Sequence, residues 1–321
     1  MQTTIGTDIK YASMLLQQGE IVAIPTETVY GLAANALNED AVLRIYEAKQ
    51  RPRFNPLILH VDSFERFETY ARDIPDACFR LAGRFSPGPL TFLLPKKSNV
   101  PDLVTAGSDH VALRVPAHPF TLELLRSIDF PLAAPSANPS GYVSPVTARH
   151  VYDGLKGSIP YILDGGPCQV GLESTIIGFE EGKVILHRYG AVTADEIESL
   201  SGWPVIKKTS DTHPNTPGKL KSHYAPRLPL FVGDIPELMR YFEGQRLAVI
   251  SFRHQYVDPA PDHAFVLSPS GDLHEAARNL FHTMREIDAI DADVILAELF
   301  PEQGLGLAIN DRLHRAQSQF R

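Results

Sequence analysis

The stretch Ile21-Val22-Ala23-Ile24-Pro25-Thr26-Glu27-Thr28-Val29-Tyr30-Gly31-Leu32 decides how this chain is read. Residues 21–24 form an apolar run stopped by proline, the signature of a buried strand. Thr26, Thr28 and Tyr30 then present hydroxyls at the strand's C-terminal end, where open α/β sheets place ligands. The plainer alternative is a turn before a helix, with Thr26 as its cap.

Working outward, Asp8 caps a helix carrying Ile9, Ala12, Leu15 and Leu16, which Gly19 ends. Asn38 caps a second helix with Val42, Ile45 and Tyr46 on one face, ending before Arg51-Pro52. Further strands are expected at 57–61, 90–94, 111–115, 132–134, 161–163, 175–179 and 184–188, with helices near 64–70, 77–85, 120–127 and 148–155. This alternation predicts an α/β domain over residues 1–206. Residues 207–227 lack periodicity and read as a long linker. Strands at 228–232, 247–251, 265–267 and 294–298 alternate with helices at 235–242, 274–287 and 306–320, predicting a small parallel, Rossmann-like domain over 228–321. It has no Gly-x-Gly-x-x-Gly, so no dinucleotide site follows.

Composition narrows the classes. The chain has 321 residues, 44% hydrophobic and 21% charged, as expected of a globular protein. No run approaches the ~20 apolar residues of a membrane span, and the N-terminus lacks a signal-peptide pattern, so a cytoplasmic protein is expected. Two cysteines, Cys78 and Cys168, fit a reducing compartment. No His-Glu-x-x-His or tight Cys/His cluster points to a protein-held metal. A net charge of −8 opposes general nucleic-acid binding, which draws on neutralised phosphates. Lys207, Lys208, Lys219, Lys221 and Arg227 nevertheless make the linker basic, which suits a compact polyanion.

Further motifs carry chemistry. Lys49-x-Arg51-x-Arg53 ends a helix, where cations complement its dipole. Pro52 turns the chain there, and Asn55-Pro56 leads into a strand followed by His60, so the same group suits phosphate oxygens. Arg114 lies inside an apolar run and needs an anion, either a ligand or a structural carboxylate. Pro135-Ser136-Ala137-Asn138-Pro139-Ser140-Gly141, with Ser144 beyond, offers hydroxyls and amides to a triphosphate, or is only a polar turn. Glu173-Ser174-Thr175 and Arg188-Tyr189-Gly190 flank two strands, and the linker ends in Ser222-His223-Tyr224-Ala225-Pro226. No Walker A, kinase set or Gly-x-Ser-x-Gly is present, so ATP use would need another fold.

In this order the motifs, together with Ser86-Pro87-Gly88-Pro89-Leu90-Thr91, resemble the YrdC-like family, in particular its two-domain threonylcarbamoyl-AMP synthases. The resemblance implies a twisted mixed sheet with helices, plus the small Rossmann-like domain. It implies condensation of L-threonine, bicarbonate and ATP into threonylcarbamoyl-AMP and pyrophosphate, for tRNA modification beside the anticodon. Thr28, His60, Arg114 and Ser174, with the Ala134 backbone, would hold threonine. Lys49, Arg51, Asn55, Ser136, Asn138, Ser144 and Arg188 would hold ATP, with His110 close by and Tyr224 closing from the linker. Lys49 and Arg51 would also serve the chemistry. Magnesium would arrive on ATP oxygens without a protein cage. The product would pass to a tRNA threonylcarbamoyl transferase complex, and no membrane or stable nucleic-acid partner is expected. Two rivals remain: a related carbamoyl-adenylate module like those of hydrogenase maturation proteins, and an RNA-binding or ribosome-assembly protein.

Overall fold

A computed structural model of the chain describes residues 1–52, 54–207, 224–257 and 260–318. Arg53 and the linker residues 208–223, including Ser222 and His223, lie outside the described residues. The chain divides into two compact units. The first takes Met1–Ser140, Pro145–Gln169 and the described chain from Glu173 to Lys207. The second takes Gly141–Ser144, Val170–Leu172 and the described chain from Tyr224 onward.

The first unit is built on one mixed sheet. Its strands are β1 (Thr4–Gly6), β2 (Val22–Ile24), β3 (Gly31–Asn35), β4 (Ile58–His60), β5 (Leu90–Pro95), β6 (His110–Arg114), β7 (Leu132–Ala133), β8 (Tyr161–Leu163), β9 (Thr175–Glu180), β10 (Lys183–Arg188) and β11 (Val205–Lys207). They lie in the order β1-β8-β2-β3-β7-β4-β6-β5-β9-β10-β11. The β4–β6 and β5–β9 pairs are parallel, whereas β4–β7 and β5–β6 are antiparallel. The expected mixed α/β sheet is therefore present.

Local chemistry explains its helices. Asp8 accepts from Tyr11 N at 3.0 Å and starts the helix Ile9–Gln17. Asn38 does the same for Glu39–Lys49, accepting from Ala41 N at 3.2 Å. Glu39 and Asp40 open that helix and Lys49 closes it, matching its dipole. Gln50 then turns left-handed, with φ of 52°, just ahead of Pro52.

The turn after Pro25 differs from its plainer reading. No helix follows; β3 returns antiparallel along β2, with Ile24 opposite Gly31. Thr26 Oγ1 accepts from Thr28 N (3.1 Å) and Val29 N (3.2 Å) and donates to Val29 O (2.6 Å), closing the turn by itself. Gly31-Leu32-Ala33-Ala34 carries little intrinsic β preference. Burial between β2 and β7 makes it a strand.

Cross-strand register sorts the side chains by face. Ile58 and His60 of β4 stand opposite Ala112 and Arg114 of β6. Leu93 of β5 stands opposite Ala112, and Thr91 opposite Ile176 of β9, which also faces Arg188 of β10. On this face Ile58, Leu93, Ala112 and Ile176 form a small apolar cluster. At the β1–β7 end, Val22, Ile24, Ala33, Leu132 and Ala134 pack with Ala12, Leu15 and Leu16 and with Leu124 and Leu125 of the helix Pro119–Arg126.

The second unit is a parallel four-stranded sheet, as expected. Its strands β12 (Leu230–Val232), β13 (Leu247–Ser251), β14 (His263–Val266) and β15 (Val294–Ala297) lie in the order β12-β15-β13-β14. The helices Ile235–Tyr241, Leu273–Ile287 and Leu305–Ala316 complete it. Phe231, Ile235, Leu238, Phe242, Val249 and Leu296 share its core. Among the described residues no helix is long and apolar enough to cross a membrane.

Candidate active site

Register divides the first unit's polar residues into two groups along β4 and β6. His60 and Arg114 are paired at the strands' C-terminal ends. Arg114 is 4% exposed; its Nε donates to Gly88 O at 3.1 Å and its Nη2 to Glu27 Oε1 at 2.6 Å. Glu27 Oε2 accepts from Ala117 N at 3.0 Å. The structure thus supplies the carboxylate partner that an Arg in an apolar run requires, while Nη1 of Arg114 donates to no described residue. Glu27 also draws the 25–30 turn, and Thr28 with it, to the Arg114 end. Thr26 spends its one proton on Val29 O, so the 2.8 Å contact between the two hydroxyls is donated by Thr28.

His60 is buried, and burial pushes its ring down to about 3, with Arg114 adding to the effect. The ring is therefore neutral at pH 7, with Nδ1 at 3.2 Å from Ile58 O. Ala134 N donates to Ile58 O at 3.0 Å, which places its backbone beside β4. Ser174 lies just before β9. Its Oγ is 2.7 Å from Thr91 Oγ1 and accepts from Arg188 Nη2 at 3.0 Å, while Arg188 Nε donates to Ser174 O at 3.0 Å. Gly190 makes this possible: a Cβ there would lie 2.3 Å from Thr175 N and 2.5 Å from Glu173 O. Only glycine lets the Arg188-x-Gly190 segment lie against Glu173-Ser174-Thr175.

The second group gathers at the other end of β4. Pro56 lies two residues before Ile58 and His110 two before its partner Ala112, so the two share a level. Ser136 reaches the same level from β7, whose Ala133 faces Leu59. Arg51 donates from Nη2 to Pro56 O (3.0 Å) and from Nε to Asn55 O (3.3 Å). Lys49, 1% exposed, places Nζ 2.5 Å from both Ser136 O and Asn138 O, and Ser140 N donates to Lys49 O at 2.8 Å. The Lys-x-Arg and Ser-x-Asn motifs are thus bound to each other directly. Asn138 turns its Nδ2 to Pro139 O at 2.8 Å. Asn55 is the exception to this pairing: it is 1% exposed, and neither Nδ2 nor Oδ1 has a partner among the described residues. Buried polar atoms are nearly always paired, and leaving one unpaired costs about 1–3 kcal/mol. An amide held this way fits a ligand that supplies both a donor and an acceptor.

The structure brings together Thr28, His60, Arg114, Ala134 and Ser174, and, in a second group, Lys49, Arg51, Asn55, Ser136, Asn138 and His110; Ala137 N donates to Tyr30 O at 2.8 Å, so the Ser-x-Asn motif adjoins the turn that carries Thr28. His110 stands four residues from Arg114, about 13 Å along the strand, and is exposed. Arg188 is bonded to Ser174 rather than placed with the second group. Ser144 and Tyr224 belong to the second unit. Tyr30, read from sequence as a ligand-facing hydroxyl, is spent on structure. Its hydroxyl donates to Gly166 O (2.7 Å) and accepts from Gly165 N (3.2 Å), and burial pushes the phenol far up.

A family profile described as telomere recombination matches residues 14–190, and one described as the threonylcarbamoyl-AMP synthase C-terminal domain matches 192–318. Threonylcarbamoyl-AMP synthase of Pyrococcus abyssi is 43% identical over 96% of this chain and 93% of its own. The chain belongs to the threonylcarbamoyl-AMP synthase family. Another member, from Bacillus subtilis, is 40% identical over 98% of this chain and 94% of its own. The crystal structure of Pyrococcus abyssi Sua5 complexed with L-threonine superposes with a TM-score of 0.89 at 42% identity, covering 98% of this chain and 96% of that one.

Two residues of the synthase fold escaped the site reading from sequence, Glu27 and Thr91. Both sit inside quoted motifs. Glu27 could have been found as the one carboxylate in the hydroxyl-rich turn, given an Arg in need of an anion. Thr91 had no such signal, because its contact with Ser174 exists only through β5–β9 pairing. Among the described residues no group of three or more His, Cys, Asp or Glu could hold a metal ion.

Proposed function

We propose that this chain condenses L-threonine, bicarbonate and ATP into threonylcarbamoyl-AMP, releasing pyrophosphate. The observation that carries the proposal is the 43% identity to a threonylcarbamoyl-AMP synthase across 96% of the chain. The two polar groups, which adjoin where Ala137 N donates to Tyr30 O at 2.8 Å, supply the chemistry. Arg114, His60, Thr28 and Ser174, with the Ala134 backbone, take threonine, and Nη1 of Arg114 serves its carboxylate. Lys49, Arg51, Asn55, Ser136, Asn138, Ser144 and Arg188 take ATP, with His110 and Tyr224 contributing, and Asn55 gains the partners it lacks.

The threonine amine attacks the carbon of bicarbonate, water leaves, and a carbamate forms. A carbamate oxygen then attacks the α-phosphorus, and the bond to the bridging oxygen of pyrophosphate breaks. The protein's part is to align the reactants and offset charge on the phosphoryl oxygens, a part that falls to Lys49 and Arg51. Neutral His60 neither adds positive charge nor competes with Arg114 for the carboxylate. Magnesium fits this donor set only as a companion of ATP: the oxygens would be ATP's own, and the metal would screen phosphate charge. The product would go to a tRNA threonylcarbamoyl transferase complex in the cytoplasm.

The test is pyrophosphate release from ATP and bicarbonate, with and without L-threonine, on wild type and Lys49→Ala. Threonine-dependent release that collapses in the variant is expected. A folded protein showing no threonine dependence would defeat the proposal.

A further inference from the structure

The second unit holds two stretches that its own sheet does not need. Gly141–Ser144 directly continues the Ser136-x-Asn138-x-Ser140 motif, and Tyr224–Pro226 ends the linker. One carboxylate gathers both. Asp288, at the C-terminal end of helix Leu273–Ile287, accepts from Tyr142 Oη at 2.7 Å, from Arg227 N at 2.9 Å and from Leu228 N at 3.2 Å. Ala225 N donates to Gly141 O at 2.9 Å, joining the two stretches directly. Arg285, one turn earlier on the helix, donates Nη2 to Val143 O (2.5 Å) and Nε to Ser144 O (3.3 Å). Its guanidinium lies 4.7 Å from the Tyr142 ring centroid.

Tyr224 shows what this arrangement maintains. Its φ is +66°, a conformation that bulky side chains adopt only when their surroundings impose it. Its ring is 1% exposed, stacked on Phe281 at 5.5 Å, with the Arg312 guanidinium 5.4 Å from its centroid. A strained residue held by a hydrogen-bonded neighbour on one side and two side chains on the other has one position.

We propose that Asp288 is a positioning residue for the nucleotide: it fixes Ser144, through Tyr142, and Tyr224, through Arg227 and Leu228, in one mutual arrangement. This gives the C-terminal domain a part in ATP handling although Asp288 itself touches no substrate. The proposal rests on the function above, in which Ser144 and Tyr224 take ATP.

Asp288→Asn and Tyr142→Phe test it in the full-length protein. The amide nitrogen cannot accept, so Asp288→Asn strands at least one of three donors; Tyr142→Phe removes one donor and keeps the ring under Arg285. The readouts are ATP KM in threonine-dependent pyrophosphate release, threonine Kd by calorimetry, and Tm. Losing a charge-assisted bond predicts an ATP KM raised roughly ten-fold in Asp288→Asn and about three-fold in Tyr142→Phe, with threonine Kd within about two-fold. The double variant should fall short of the product of the two effects, because both act through one contact. Lower Tm and kcat with unchanged ATP KM would make Asp288 merely structural and overturn the proposal, as would an equal loss of threonine affinity. Should Asp288→Asn not fold, Tyr142→Phe decides by the same readouts. Should wild type release no threonine-dependent pyrophosphate, the function reading fails instead. Direct ATP calorimetry on wild type and Tyr142→Phe then decides this proposal: weaker binding in the variant supports it, equal binding refutes it.

Discussion

Glu27→Gln tests whether Arg114 meets the threonine carboxylate. In the wild type one carboxylate bridges Arg114 Nη2 at 2.6 Å and Ala117 N at 3.0 Å, and the two side chains are 4% and 11% exposed. The amide keeps one acceptor and the shape but drops the charge, so the guanidinium loses its counterion and either Arg114 Nη2 or Ala117 N faces an NH2 group. A charge-assisted hydrogen bond contributes ~1.5–3 kcal/mol and a neutral one ~0.5–1.5. Removing a partner of a buried pair outright costs ~3–5 kcal/mol. The isosteric exchange should therefore cost about 2 kcal/mol, or about 4–8 °C in the Tm of the first unit. Bound threonine changes this sum, because its carboxylate supplies the missing anion. The deficit, read by differential scanning calorimetry, should shrink in saturating L-threonine. A deficit that is equal or larger with threonine would refute the placement of the substrate carboxylate on Arg114.

Asn55→Ala should leave the ligand-free Tm almost unchanged, because the amide bonds to no described residue, while raising ATP KM roughly ten-fold; a large Tm loss with normal KM would show a structural amide instead. His60 should make the fold acid-sensitive. Its folded value of about 3 lies below the ordinary 6.5, so below about pH 6.5 the unfolded chain binds a proton that the folded chain refuses. Its contribution is whole above that pH and falls by up to ~1.4 kcal/mol per unit as acid is added. His60→Asn should flatten the unfolding free energy between about pH 6.5 and 4, and an unchanged slope would contradict this origin. Gly190→Ala should part the Arg188 segment from Ser174, costing ~1–3 kcal/mol and most of the pyrophosphate release; wild-type turnover would show the Arg188–Ser174 contact to be dispensable.

Much of this was readable before any coordinates, for local reasons. Asp8 and Asn38 announced helices because a capping side chain acts within three residues. Strands β4, β5, β6 and β8 announced themselves as short apolar runs. β1 and β3 did not: Thr4–Gly6 is short and exposed in part, and Gly31–Asn35 is small-residue chain that burial alone shapes. The same division runs through the site. Arg114 and Lys49 stood out as cations in the wrong surroundings. That Glu27 would answer Arg114, or that Lys49 would grip the carbonyls of Ser136 and Asn138, depended on contacts between distant parts of the chain. Tyr30 misled for the converse reason, since a hydroxyl in a polar motif gives no sign that Gly165 and Gly166 will claim it.

The order β1-β8-β2 and the pairing of β5 with β9 bear on how the protein is made. Synthesis runs from the N-terminus at roughly 5–20 residues per second. When Arg114 and His60 emerge from the ribosome, the strand that separates β1 from β2 does not yet exist, nor do Ser174 and Arg188. A nascent chain ending before Tyr161 carries Val22–Ile24 and Leu90–Pro95 with unpaired edges, the state most open to association with its neighbours. The active site is thus a late product of translation. Its assembly waits on Ser174 and Arg188, made after Tyr161–Leu163 has entered between β1 and β2 near one edge of the sheet.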